Sequence, residues 1–184
     1  MKKSPVVGLA ALVVLLILFR LYEGWPVGNS SQVFDPRIRD TLWKLGLRAI
    51  ESRDVPVSAV LLYGDSIIGS GWNTVLRDTN AGGHAEINAI SDALRRMGRL
   101  RFGSLHRDSL LLVSTFEPCA MCQGAILEYN IRNVVYLKAK PALYLLKEDA
   151  RAFRYLWERR KATAYALQES LFVRHPDYGK SNEN

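Results

Sequence analysis

His84, Glu86, Cys119 and Cys122 are the residues whose types and spacing could do chemistry. They stand in His84-Ala85-Glu86 and in Pro118-Cys119-Ala120-Met121-Cys122, and the 184-residue chain has no cysteine outside the second segment. A closed structural zinc site takes four protein ligands, so two cysteines cannot build a four-cysteine site. A catalytic site takes three ligands and keeps a position for water, whose pKa zinc lowers to about 7. His84, Cys119 and Cys122 supply three ligands for one Zn2+ per chain. Glu86 is left over as a carboxylate beside the first of them, placed to carry protons between that water and a substrate. The pattern points to metal-assisted hydrolysis.

Certain elements must position these groups. Cys119 and Cys122 are one helical turn apart, so their sulfurs share a face and can converge on one ion. Pro118 suits the first turn of a helix over 118–129, where the positive end of the dipole favours thiolate. Ala85, Ala89 and Ala93 recur every fourth position on a helix opening near His84, as do Ala120 and Gly124 on the second. That spacing fits either two helices approaching closely at a shared ion or ordinary helix composition. A Cys-x-x-Cys can also be a redox pair, but here it lacks the strand–loop context of thioredoxin-like motifs and follows a proline. Glu117 reads as structural, and His106 and His175, in polar segments, receive no role.

The order H-x-E…P-C-x-x-C is a zinc deaminase signature. From about Val57 to Lys138 the chain resembles the cytidine/deoxycytidylate deaminase superfamily. Within it the chain is most similar to the branch of tRNA adenosine deaminases, guanine deaminases and fungal-type cytosine deaminases. Thr115-Phe116-Glu117-Pro118-Cys119-Ala120-Met121-Cys122-Gln123-Gly124-Ala125 follows that branch's pattern, and Gly71-Trp72-Asn73 matches upstream. The resemblance implies that His84, Cys119 and Cys122 hold zinc, that Glu86 shuttles protons, and that Asn73 hydrogen-bonds the substrate base. Backbone groups at Ala85 and Cys119 would also touch the substrate. It implies a nucleobase or nucleoside substrate, a homodimer and a three-layer α/β/α sandwich. Gly82-Gly83 departs from the branch, where a bulkier residue precedes the motif histidine; glycines there permit either close backbone approach to a ligand or a mobile loop. A tRNA adenosine deaminase and a catalytically silent binding module are the alternatives, and the second would have no use for Glu86.

The remaining pattern is that of one α/β domain over 35–174. Asp35-Pro36 caps and opens a helix to about Ser52. Val57–Tyr63 and Ser66–Trp72 read as a hairpin turning at Gly64-Asp65. A polar loop, 74–83, precedes the His84 helix. Leu110–Ser114 and Asn133–Leu137 read as further strands, and their alternation with helices predicts a largely parallel sheet.

The ends read differently. Met1-Lys2-Lys3 precedes an almost unbroken apolar stretch from Val6 to Phe19, closed by Arg20. Through Tyr22 it spans about seventeen residues, at the lower limit for a bilayer. With no small-residue cleavage site after it, residues 1–23 read as an uncleaved, single-pass membrane anchor, followed by a linker over 24–34. Lys2 and Lys3 oppose Arg20, Arg37 and Arg39 in setting its orientation, which stays open. Of the chain's formal net charge of +7, residues 138–174 carry +5, from nine Lys/Arg against four acids. Leu146, Ala150, Phe153, Trp157, Ala164 and Leu171 fall near helical spacing there, predicting one or two amphipathic helices packed on the sheet. The basic face could meet RNA phosphates, anionic lipid or only water. A polar tail, 175–184, closes the chain.

Overall fold

The computed structural model describes residues 35–159, 167–174 and 176, with isolated positions 14, 15 and 18. Two compact units divide the chain, Met1–Lys140 and Pro141–Asn184. In the first, the elements are α1 (Pro36–Glu51), β1 (Ser58–Tyr63), β2 (Ser66–Trp72), α2 (Ala85–Met97), a one-turn α3 (Arg99–Gly103), β3 (Leu110–Ser114), α4 (Ala120–Glu128) and β4 (Asn133–Tyr136). The second holds α5 (Ala142–Glu158) and α6 (Leu167–Arg174).

Helix α1 starts as its residues dictate: Asp35 Oδ1 accepts the Arg37 N–H at 2.8 Å, and Pro36 takes the first position. The cap satisfies one of the N–H groups a helix start leaves free. Two residues, with Gly64 at φ +56°, join β1 to β2 and fix them as an antiparallel hairpin.

The sheet order is β2-β1-β3-β4. Strand β1 pairs antiparallel with both neighbours, and only β3 and β4 pair parallel. The largely parallel sheet expected from strand–helix alternation is therefore corrected to a mixed one. The alternation does set β2, β3 and β4 in one direction. The chain, however, passes from β2 across β1 before laying down β3, so the reversed hairpin strand lies inside the sheet.

Side chains alternate between two faces. Ala59, Leu61, Leu110 and Leu112 pack with Ala89, Ile90 and Ala93 of α2 and Ile126 of α4. Val60, Leu62, Leu111 and Val113 pack with Ile38, Leu42 and Leu45 of α1. Helices cover both faces of this α/β unit. Leu61, Leu62 and Leu112 are fully buried, each contributing about 1.5–3 kcal/mol of apolar transfer.

The alanine series serves a contact different from the helix–helix one. A Cβ built on Gly71 would lie 2.5 Å from Ala85 O and Ala89 N, and one on Gly69 would overlap Ala89 O. Ala85, Ala89 and Ala93 thus seat α2 on β2, with glycines on the strand and alanines on the helix sharing the close approach. Gly124 of α4 faces open space, with nothing within 4 Å of its Cβ position.

The membrane localisation is also corrected. Among the described residues no helix is long and apolar enough to cross a membrane. Apart from Val14, Leu15 and Leu18, the segment on which that expectation rested lies outside the described residues. A run of about seventeen apolar residues sits at the threshold where composition alone does not fix a span. In the second unit α5 forms as expected, with Arg154 paired to Glu158 at 3.0 Å and Phe153 stacked on Trp157. Within this unit Leu146, Phe153 and Trp157 are 49 %, 66 % and 81 % accessible. Ala164 lies outside the described residues.

Candidate active site

The site forms where β2 and β3 end and α2 and α4 begin. His84 is the N-cap of α2 and Cys119 the N-cap of α4, both with extended backbone. Pro118 therefore precedes the helix instead of lying in its first turn. N-cap side chains ordinarily accept a hydrogen bond from the helix's own free N–H groups. Neither His84 nor Cys119 does so, and both turn to each other and to Cys122.

The three ligand atoms lie within 4.8 Å of one another. His84 Nδ1 is 3.5 Å from each sulfur, and the sulfurs are 3.6 Å apart. A tetrahedral zinc with Zn–S of about 2.3 Å and Zn–N of about 2.0–2.1 Å has S···N edges of about 3.6 Å and S···S edges of about 3.8 Å. The triangle fits the ion within a few tenths of an ångström. His84, Cys119 and Cys122 are positioned to hold one Zn2+, and a fourth vertex has no protein ligand among the described residues.

Glu86, in the first turn of α2, is 4 % exposed. Its Oε1 accepts a 3.0 Å hydrogen bond from Ser114 Oγ, and its Oε2 lies 3.3 Å from Cys122 Sγ. The two cysteines polarise each other. The hydrogen bond between the two sulfurs pushes the Cys119 pKa down to about 5 against the effect of burial. That same hydrogen bond, burial and the Glu86 charge push Cys122 up.

Asn73 follows β2 directly, 8 % exposed, with Oδ1 accepting the Val75 N–H at 3.1 Å. That turn leaves its amide hydrogens uncommitted. Ala85 is buried against β2. His106 is exposed, and His175 lies outside the described residues. Gly83 is required by a close approach of the loop's own ends: a Cβ there would lie 2.9 Å from Thr74 Oγ1 and 3.1 Å from Asn80 O.

Four polar residues act here that the sequence did not single out. Ser114 holds Glu86. Asn88 Nδ2 donates to Trp72 O at 2.7 Å and Thr74 Oγ1 at 3.1 Å, tying α2 to the start of the 74–83 loop. Buried Asp54 accepts from Leu76 N–H at 2.6 Å, Ser52 Oγ at 2.7 Å and Arg77 N–H at 3.3 Å. Lys140 reaches Pro118 O at 3.1 Å. The signals were faint: a serine ending an apolar strand, an asparagine one turn after the motif histidine.

The profile described as the cytidine and deoxycytidylate deaminase zinc-binding region matches residues 37–138. The chain belongs to this family. It is similar to the tRNA-specific adenosine deaminase of Buchnera aphidicola (Schizaphis graminum), 36 % identical over 103 residues, which cover 53 % of this chain and 65 % of that protein. Among solved structures it is similar to one from a study of tRNA:A34 deaminases, with TM-score 0.51 and 28 % identity, covering 57 % of this chain and 77 % of that one. Guanine deaminase from Bacillus subtilis, with TM-score 0.54 and 22 % identity over 73 % of this chain and 91 % of that one, shares the fold. The chain spans less than two thirds of the length of the curated relatives it matches.

Proposed function

We propose that the chain is a zinc-dependent hydrolase that deaminates a nucleobase or nucleoside and releases ammonia, with residues 35–174 as the working domain. The observation that carries this reading is Glu86: a buried carboxylate, held by Ser114, beside three convergent ligands that leave one tetrahedral position open. Zinc bound there supplies hydroxide at neutral pH and stabilises negative charge developing on oxygen. Glu86 takes up the proton released as the nucleophile forms and delivers it to a ring nitrogen of the base. It then passes the second proton to the exocyclic amine as the C–N bond breaks, so that ammonia leaves and the ring carbon keeps the oxygen. Asn73, its side chain pre-set by the bond to Val75, offers its amide hydrogens to the base, and the backbone at Ala85 and Cys119 lines the same space. The protein would assemble as a homodimer, which light scattering of the purified chain tests.

A second reading, adenosine-to-inosine deamination of tRNA, is supported by the relatives named above. It also draws on Arg48 and Arg77, whose guanidinium carbons lie 5.2 and 5.5 Å from the Trp72 ring centroid, next to Asn73. The experiment is an ammonia-release screen of the zinc-loaded protein against guanine, adenine, cytosine, their nucleosides and a tRNA anticodon stem-loop. Turnover of free bases or nucleosides with none of the stem-loop eliminates the second reading. Glu86→Gln should keep zinc and release no ammonia from any substrate, and full turnover by that variant would refute the proposed role.

A further inference from the structure

Lys140 is the one buried cation among the described residues, 8 % exposed. Removing an ammonium from water costs several kcal/mol unless polar partners compensate it. Its surroundings show what that cost secures. The four residues 115–118 lead from β3 to Cys119, the N-cap of α4, without regular structure, and they set where Cys119 stands.

Two backbone anchors hold the front of this connection. Thr115 N–H donates to Ser58 O at 2.9 Å, and Glu117 N–H donates to Lys138 O at 2.9 Å. The end next to Cys119 is held by side chains. Glu117 Oε2 accepts the Lys140 N–H at 2.7 Å, and Lys140 Nζ donates to the Pro118 carbonyl at 3.1 Å. Gln123 Nε2 reaches that carbonyl too, at 3.1 Å, but from within α4. Lys140 therefore supplies the side-chain link from the segment beyond β4 to the peptide that presents Cys119. The Glu117 carboxylate thus holds the backbone of residue 140, and the Lys140 side chain holds the carbonyl of the residue that follows Glu117.

We propose that Lys140, clasped by Glu117, is a positioning residue for the zinc ligand Cys119. It fixes the Pro118–Cys119 peptide so that both sulfurs address one ion. Groups that orient metal ligands from behind are worth about 10- to 100-fold in metal affinity.

The test uses the full chain and needs no substrate, so its outcome is independent of the deaminase reading. Zinc affinity is measured by competition with a chromophoric chelator, and the cobalt-loaded protein is examined for its visible d–d bands. Lys140→Met, which keeps length and packing but removes the charged donor, should weaken zinc binding by about 10- to 100-fold and shift those bands. Wild-type zinc affinity with an unchanged cobalt spectrum would overturn the proposal, whatever the melting temperature of the metal-free variant. Should Lys140→Met not fold, Glu117→Ala keeps the ammonium and removes the acceptor of the residue-140 N–H. A several-fold loss of zinc affinity in that variant supports the proposal, and an unchanged affinity overturns it.

Discussion

Substituting alanine at Gly71 should damage this protein far more than the added methyl group implies. The new Cβ would sit 2.5 Å from both Ala85 O and Ala89 N. Ordinary contact begins about 0.9 Å further out, and these neighbours are helix backbone that cannot rotate away. Relief requires α2 to lift from β2 along its first turn. Over-packing of this kind costs about 1–3 kcal/mol, and with a rigid neighbour the upper end applies. At about 2–4 °C per kcal/mol for a chain of this size, the melting temperature should fall on the order of 6–12 °C. The first turn carries Glu86 and follows His84, so a displacement near 1 Å should also cost about 100-fold in turnover. Gly124→Ala is the control. Its Cβ meets nothing within 4 Å, and alanine in a helix interior gains about 0.5–1 kcal/mol over glycine. It should raise the melting temperature by a few degrees. Thermal unfolding and ammonia release on the two variants decide the matter. A Gly71→Ala protein as stable and active as wild type would refute the claim that bare backbone contact seats α2.

Two further perturbations address the polar residues around the site. Ser114→Ala leaves Glu86 Oε1 without its 3.0 Å donor, and should retain zinc while lowering kcat about 10- to 100-fold, as loss of a hydrogen bond to a charged group predicts; steady-state kinetics beside metal analysis checks it. Burial pushes the Asp54 carboxyl upward, but the bonds from Leu76, Ser52 and Arg77 outweigh it and hold the group below the usual carboxylate range. A depressed folded pKa gives stability that is present above the unfolded value of about 3.9 and lost as pH falls through the folded one. Melting temperature followed from pH 7 downward should therefore drop more steeply in wild type than in Asp54→Asn at the acid end, with KM raised in the variant because residues 76 and 77 lose their anchor. Parallel acid limbs for the two proteins would contradict the assignment.

The zinc triangle was legible in the sequence because coordination chemistry restricts its ligands to a few residue types at helical spacing, and the Asp35-Pro36 cap and the Gly64 turn are local by nature. What escaped is non-local. Nothing near Gly69 or Gly71 says that α2 will lie on them, and nothing near Ser114 names Glu86, 28 residues earlier. The placement of β1 inside the sheet depends on where the chain crosses after β2, which periodicity does not encode. At the N-terminus, composition was read as location, and hydropathy at the lower limit of a span is a weak guide to it.

The central claim is that one imidazole and two thiolates hold a single ion with a vertex left open. X-ray absorption at the zinc edge of natively purified protein measures this directly. The account predicts one zinc per chain, with two sulfurs at about 2.3 Å and two lighter atoms at about 2.0–2.1 Å. Absence of stoichiometric metal, or a shell with no sulfur, would contradict it.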